Sequence, residues 1–222
     1  MPTHLQHEVE KLKQRLLDLT AVVKQAVEDA VTSVANRDCG LAQRILDGDR
    51  AIDQTEVDIE EECLKLFALY QPVATDLRFI VAVLKINNDI ERVGDLAVNI
   101  AERTLFLSTQ PLLEAPFEFA EISKKTLAML SGSLDALLQQ NAKRAREVRA
   151  DDNDVDAINR GMYVKISTAI RKNPDHVEQL LCYLSVSRNL ERIADCATNI
   201  AEDVIYLTEG EIVRHKPVYP EG

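Results

Sequence analysis

Residues 91–102 read Glu91-Arg92-Val93-Gly94-Asp95-Leu96-Ala97-Val98-Asn99-Ile100-Ala101-Glu102, and residues 191–202 read Glu191-Arg192-Ile193-Ala194-Asp195-Cys196-Ala197-Thr198-Asn199-Ile200-Ala201-Glu202. The two stretches lie 100 positions apart and share the pattern Glu-Arg-aliphatic-x-Asp-x-Ala-x-Asn-Ile-Ala-Glu. A shared pattern of this length at one fixed offset is not expected by chance. It indicates that the chain contains an internal duplication.

The shared polar residues fall on one side of a helix. An α-helix advances by about 100° per residue, so Glu91, Asp95 and Glu102 lie within roughly 40° of one another and Asn99 lies about 80° from Glu91. The remaining arcs are mostly apolar, so each polar stripe belongs to a helix that is packed on its other sides. The second copy repeats the stripe with Glu191, Asp195, Asn199 and Glu202.

A second acidic stripe precedes each copy. Asp49 and Asp53 are four residues apart in a helical segment, and Asp152 and Asp156 repeat this spacing at an offset of 103. The first of these stripes continues toward Glu56. Divalent and trivalent hard cations prefer oxygen ligands, and carboxylates one helical turn apart can bridge neighbouring ions. The paired stripes therefore predict metal binding between helices.

Composition and periodicity predict an all-α protein. Glycine and proline number only 7 each, tryptophan is absent and aromatic residues make up 5% of the chain. Apolar residues recur at alternating steps of three and four. We predict two tandem three-helix bundles, at residues 1–110 and 111–222, joined by a linker at 109–116 and followed by a short C-terminal tail. The expected helices run from His4 to Asn36, Leu41 to Tyr70, Val73 to Ser108, Phe117 to Gln140, Asp151 to Arg171 and Pro174 to Thr208.

Local signals refine the ends of these helices. Gly40 lies in the expected C-terminal cap region of the first helix, and Gly48 is a candidate break in the second. Residues 142–148 read as a separate short turn of helix. Asn173 and Pro174 are expected as the N-cap and first residue of the sixth helix.

Two further stretches strengthen a family resemblance. Pro72-Val73-Ala74-Thr75-Asp76-Leu77-Arg78 opens the third helix, and Val155-Asp156 lies near the start of the fifth. With the duplicated element, they make the chain resemble the PhoU family of bacterial phosphate-homeostasis regulators over nearly its whole length. The resemblance implies six helices in two three-helix repeats and a homodimer.

The resemblance also implies a function. Members of this family are non-enzymatic negative regulators of phosphate uptake and of the phosphate-starvation response. The implied partners are the ATPase subunit of a phosphate ABC transporter and a phosphate-sensing histidine kinase. The implied location is the cytoplasm, with peripheral attachment at the inner face of the membrane through these partners.

Metal clusters are a further implication of the resemblance. The family's Glu/Asp-x-x-x-Asp motifs are associated with multinuclear metal sites, with iron expected first and zinc, manganese or magnesium as alternatives. These motifs correspond to Glu91 with Asp95 and to Glu191 with Asp195. The expected contributors from the preceding helices are Asp49, Asp53, Asp152 and Asp156.

The chain departs from the family pattern at two places. Family members commonly carry His after the signature Asp, where this chain has Leu96 and Cys196. The second repeat has His176-Val177-Glu178 where the first has Asp-Leu-Arg. We therefore expect the two repeats to differ in metal affinity.

Three alternatives remain open at this level. The acidic stripes could form ion pairs with the arginines Arg78, Arg92, Arg103, Arg188 and Arg192. The chain could be a carboxylate-bridged metalloenzyme or a metal-storage bundle. A ferritin-like di-iron enzyme would carry Glu-x-x-His, which the sequence lacks.

Composition excludes several other classes. The formal net charge of −11 argues against a nucleic-acid partner. No apolar stretch reaches the roughly 18 residues that a membrane-spanning helix needs, and no N-terminal run resembles a signal peptide. The cysteines are expected as core thiols of a reducing cytoplasm. The sequence also lacks a Gly-rich phosphate-binding loop.

Overall fold

A computed structural model describes residues 4–113 and 119–214. Over these ranges the chain is helical and contains no strand. The expected all-α class and the two tandem three-helix repeats are confirmed. The elements are α1 (His4–Asn36), α2 (Cys39–Tyr70), α3 (Ala74–Ser108), α4 (Phe119–Gln139), α5 (Ala142–Lys172), a 3-10 turn (Pro174–His176) and α6 (Val177–Glu209).

Each repeat packs its three helices around an apolar core. α1 contributes a row at steps of three and four in which Leu12, Leu16, Leu19 and Val23 are at most 3% exposed. This row contacts α2 and α3, and α4 makes the equivalent contacts with α5 and α6. The 3.6-residue period places such a row on one face, so burial of that face drives the packing.

The two signature helices, α3 and α6, pack against each other and join the repeats. Each also contacts both other helices of its own repeat, so little of its surface is free. Ala97 and Ala197 of the signatures are fully buried. Small side chains let helices approach closely, and the repeated alanines therefore belong to the core of the molecule.

Gly94 shows how closely α2 approaches the first signature. A Cβ atom at this position would lie 3.3 Å from Cγ2 of Ile52, which is tighter than ordinary van der Waals contact. Ile52 is buried and lies next to Asp53 in the chain. The absence of a side chain at Gly94 thus brings the acidic stripe of α2 close to that of α3.

Two expected interruptions are wrong. α2 runs unbroken through Gly48, which is exposed. A glycine inside a helix costs only about 1 kcal/mol relative to alanine, and burial of Ile45 and Ile52 on either side offsets that cost. Likewise, residues 142–148 are not a separate turn, because α5 is continuous from Ala142.

Several helix ends also differ from expectation. Asp38 caps α2 by accepting a hydrogen bond from the Leu41 amide at 2.9 Å, so Gly40 lies in the first turn of α2 and not in the cap of α1. Asn173 makes no side-chain cap bond, and Pro174 opens the 3-10 turn before α6. Gly210 closes α6 in the left-handed region, with φ of 73°.

Parts of the predicted chain plan lie outside the described residues. These are positions 114–116 of the linker, Phe117 at the predicted start of the fourth helix, and the tail from residue 215. The domain limits at 110 and 111 remain a prediction. Among the described helices, none is long and apolar enough to cross a membrane.

The cysteines match expectation in part. All four are free thiols, and Cys63, Cys182 and Cys196 are buried. Cys39 is exposed, so the expectation of a core thiol is wrong there. It is the first residue of α2, where only part of the helix surface is covered.

Candidate metal centre

Three aspartates of the first repeat converge between α2 and α3. Asp49 and Asp53 lie one turn apart on α2, and Asp95 lies on α3. One carboxylate oxygen from each falls within 4.8 Å of the others. Oxygens at this separation can share one cation or bridge two. The paired spacing predicted from the sequence thus brings these three residues together.

Asp49 is the most enclosed of the three. Its Oδ1 atom is buried and has no hydrogen-bond partner among the described residues. Burial raises the pKa of this carboxyl, and the neighbouring Asp53 and Asp95 raise it further. Leaving a buried carboxylate oxygen unpaired is unfavourable, and a bound cation would remove that cost.

Glu91 and Glu56 extend the cluster along the groove. Burial raises the pKa of both carboxyls, and for Glu91 the nearby Asp95 and Glu56 add to the effect. Asn87 holds Glu56 in place, because its Nδ2 donates to the Glu56 Oε1 at 3.1 Å and to the Glu56 carbonyl at 2.9 Å. Sequence analysis placed Glu56 on the stripe without counting it among the ligands.

The second repeat forms an equivalent cluster between α5 and α6. Asp152 and Asp156 of α5 face Glu191 and Asp195 of α6, as their mutual electrostatic effects indicate. Part of the Asp195 side chain faces solvent, yet desolvation between the helices raises its pKa to about 6, with Glu191 as the next cause. All four predicted residues therefore share one acidic groove.

In the second cluster, two of the aspartates already accept hydrogen bonds from other side chains. Thr198 Oγ1 donates to Asp152 Oδ1 at 3.2 Å, and Arg160 Nη1 donates to Asp156 Oδ2 at 3.1 Å. Among the described residues, only Asp49, Asp53 and Asp95 of the first repeat bring three ligand oxygens close enough to share one ion. The two clusters therefore differ in geometry, and the expected difference in metal affinity stays a prediction.

The ion-pair alternative finds little support. Within residues 4–113 and 119–214, the one ion pair to these two clusters joins Arg160 and Asp156. The arginines expected as partners form no such pair in that part of the chain: Arg78, Arg92, Arg103, Arg188 and Arg192. Mutual repulsion among the carboxylates is therefore largely uncompensated in the first repeat, whereas in the second, where burial raises the pKa of Glu191, Arg188 and Arg192 act to lower it.

The signature residues nearer the helix C-termini point elsewhere. Asn199 Nδ2 donates to Asp89 Oδ1 of α3 at 3.2 Å, and Glu202 pairs with Nε of Arg149 at 3.1 Å. Glu102 does not belong to the gathered group of the first repeat, among the residues described. Glu102, Asn199 and Glu202 therefore lie apart from the convergent carboxylates, and the role predicted for Asn99 stays a prediction.

A polar contact that was not predicted joins the two repeats. Lys85 of α3 pairs with the buried Asp203 of α6 at 3.1 Å, and Arg214 reaches the same carboxylate at 3.5 Å. The position equivalent to Asp203 in the first repeat is Arg103. The sequence offered one indication of this contact, which is that Arg103 and Asp203 have opposite charges at equivalent positions of the two repeats.

Comparisons with known proteins cover both repeats. The family model described as the PhoU domain matches residues 16–104 and 119–204. The phosphate-specific transport system accessory protein PhoU homolog of Aquifex aeolicus is 36% identical over 215 residues, covering 97% of each chain. The Escherichia coli protein named phosphate-specific transport system accessory protein PhoU is 29% identical over 208 residues, covering 94% of this chain and 86% of its own.

Solved structures give the same result. The crystal structure of PhoU from Pseudomonas aeruginosa superposes with a TM-score of 0.88 at 35% identity, covering 92% of this chain and 99% of that one. The phosphate transport system regulatory protein PhoU from Streptococcus pneumoniae gives a TM-score of 0.83 at 31% identity, with 95% and 99% covered. The likeness therefore extends to both three-helix repeats and to their packing.

Proposed function

This chain belongs to the PhoU family, and from that premise we propose that it is an accessory protein of a phosphate transport system. In this role it negatively regulates phosphate uptake and the phosphate-starvation response. It does so without catalysis, by coupling the ATPase subunit of a phosphate ABC transporter to a phosphate-sensing histidine kinase. The names of its relatives support the first part of this proposal.

The proposed setting follows from these partners. The protein acts as a homodimer in the cytoplasm and reaches the inner face of the membrane through the transporter and the kinase. The absence of a spanning helix among the described residues is compatible with such attachment. Its net charge of −11 favours contact with basic protein surfaces over contact with nucleic acid.

The observation that carries the proposal is the convergence of Asp49, Asp53 and Asp95 around one point. We propose that these residues, with Glu91, hold metal ions in the first repeat. Their chemistry fits hard cations, because all the donors are carboxylate oxygens and one of them is buried without a hydrogen-bond partner in residues 4–113 and 119–214. Iron is the first candidate, with zinc, manganese and magnesium as alternatives.

The protein itself holds the carboxylates of this cluster in position. α2 and α3 fix the carboxylates by their apolar packing at Ile52 and Gly94, so little ordering is needed on binding. A bound cation would neutralise the repulsion among these acids and join the two helices. The second repeat, in which Asp152 and Asp156 already have hydrogen-bond donors, is proposed as the weaker site.

A complementation experiment tests the regulatory role. In a bacterium whose own family member has been deleted, the wild-type chain should restore repression of phosphate-starvation genes in phosphate-rich medium. The double variant Asp49→Asn/Asp95→Asn should lose much of this repression if the cluster takes part in signalling. Asp135→Asn, an exposed acid of α4 outside both clusters, serves as the matched control.

Two outcomes would contradict the proposal at different levels. Failure of the wild-type chain to restore repression, despite normal abundance, would contradict the regulatory role. Full repression by a folded double variant would leave that role intact and remove the cluster from it. Turnover of a substrate that depends on added iron or manganese would instead favour a metalloenzyme.

A further inference from the structure

The second repeat carries an open pocket beside its acid cluster. The pocket has a volume of about 450 Å³ and lies between α5 and α6. None of the clustered carboxylates lines it. Its wall includes Tyr163 of α5 and, on α6, Leu181, Ser185, Arg188, Asn189 and Arg192.

Two arginines give this pocket its charge. Arg188 and Arg192 lie one helical turn apart and are both exposed. Neither forms an ion pair within the described part of the chain, although the protein has 37 acidic residues. Paired guanidinium groups bind phosphate oxygens through parallel, charge-assisted hydrogen bonds. The pocket is therefore suited to an anion.

Asn189 adds a polar group to the pocket. The residue is only 8% exposed and lines the pocket, and its side chain forms no hydrogen bond with any described residue. Its amide atoms are not among the enclosed polar atoms that lack a partner, so they remain accessible from the pocket. An amide group can both donate to and accept from a ligand.

The other wall of the pocket is suited to an organic group. Tyr163 is 51% exposed and Leu181 is 50% exposed, so a flat aromatic face and an aliphatic side chain border the two arginines. Aromatic faces stack on planar rings, and such stacking is worth about 1–3 kcal/mol per base at nucleic-acid sites. Inorganic phosphate would leave this apolar surface uncovered.

The first repeat differs at several of these positions, although it keeps Arg92 at the register of Arg192 and has Lys85 at the register of Ser185. At the equivalent registers it has Glu60 for Tyr163, Asn88 for Arg188 and Asp89 for Asn189. Asp89 accepts a hydrogen bond from Asn199, whereas its counterpart Asn189 has no partner among the described residues. The second repeat thus sets two arginines beside an aromatic ring, whereas the first has Arg92 with Asp89 and Glu60 at these registers.

We propose that this pocket binds a nucleoside phosphate. Arg188 and Arg192 hold the phosphate groups, Tyr163 and Leu181 cover the base, and Asn189 and Ser185 bond to polar atoms of the ligand. The pocket shares no lining residue with the acid cluster beside it, although Arg188 and Arg192 also act to lower the pKa of Glu191 in that cluster, against the larger effect of burial, which raises it. On this proposal the second repeat binds a nucleoside phosphate that the first repeat does not bind.

Calorimetric titration of the full chain with ADP, in a buffer containing chelator, tests this site. ADP should bind the wild type, and the variant Arg188→Gln/Arg192→Gln should bind it at least about tenfold more weakly. Asn189→Leu should weaken binding while keeping the charge of the pocket. The variant Lys11→Gln/Arg44→Gln, which removes two exposed cations of the first repeat, should bind ADP as the wild type does.

Several results would overturn the proposal. No binding of ADP to the folded wild type would do so, and so would equal binding by the Arg188→Gln/Arg192→Gln variant. Inorganic phosphate that binds as tightly as ADP would show that the apolar wall contributes nothing. Loss of ADP binding in Asp95→Asn, with no loss in the arginine variant, would place the nucleotide at the acid cluster instead. A polyglutamate peptide that binds where ADP does not would identify a protein-docking surface.

Discussion

Asn199 of α6 donates a hydrogen bond from Nδ2 to Oδ1 of Asp89 on α3 over 3.2 Å, and this bond joins the two repeats. Burial raises the pKa of Asp89, while the bond from Asn199 acts in the opposite direction by favouring the charged form. The contact therefore lets a largely enclosed carboxylate remain ionised between the two signature helices.

Loss of this bond should cost stability at neutral pH. Asn199→Ala removes the donor, and because this bond is exposed, water replaces part of it, so we expect a loss of about 0.5–1.5 kcal/mol in the free energy of unfolding. The loss should shrink as pH falls through the raised pKa of Asp89, because the protonated carboxyl depends less on this donor. Urea denaturation at pH 5 and pH 7.5 measures both values.

The duplicated position supplies the control. Asn99 forms no side-chain hydrogen bond with the described residues, so Asn99→Ala should change stability by less than about 0.5 kcal/mol. Equal losses in the two variants, or a loss in Asn199→Ala that does not depend on pH, would contradict this account of the contact.

The acid clusters should make the metal-free protein less stable as pH rises. The pKa of Asp195 is raised to about 6 in the folded chain, whereas an aspartate in an unfolded chain titrates near about 4. Between these values the folded state holds the proton and the unfolded state does not. Stability should therefore fall as pH increases from 4 to 6.

A variant separates this contribution from other titrating groups. Asp195→Asn cannot lose a proton at this position, so its free energy of unfolding should decline less than that of the wild type over the same pH window. The measurement is urea denaturation at several pH values in chelator. Identical pH profiles for the two proteins would mean that Asp195 titrates normally in the folded chain.

Glu202 should be structural. Its carboxylate pairs with Arg149 at 3.1 Å, with both side chains largely buried, and Arg149 also donates to the carbonyl of Val213 at 3.1 Å. Glu202→Gln should cost about 1–3 kcal/mol of unfolding free energy and leave the metal content unchanged. Glu102→Gln, at the exposed equivalent position, should cost less than about 0.5 kcal/mol. Metal loss in a folded Glu202→Gln variant would restore this residue as a ligand.

The long helices were predictable because their apolar period extends over about thirty residues, far beyond what a local signal can mask. Their ends were less predictable. Whether Gly48 breaks α2 depends on burial of Ile45 and Ile52 around it, and the start of α5 depends on one cap, in which Asn141 accepts from the Arg144 amide at 3.1 Å. Each of these contacts is a single interaction, so it produces no periodic pattern in the sequence.

The candidate centre was predictable to the same degree. Spacing within α2 and α3 correctly brought Asp49, Asp53 and Asp95 to one groove. It failed to predict the partners of Asn199 because a stripe spanning roughly 80° can face two neighbours. α6 contacts both α5 and α3, and only the packing of the two repeats decides which residue meets which helix.

Elemental analysis of untagged protein, purified without chelator and then offered iron, manganese or zinc, tests the central claim that the convergent carboxylates bind metal. Wild type should retain metal ions, Asp95→Asn should lose more of them than Asp195→Asn, and Asp135→Asn should retain them all. Circular dichroism should show each variant to be folded. A folded wild type that stays metal-free after every metal has been offered, or an Asp95→Asn variant with the full wild-type content, would contradict the claim.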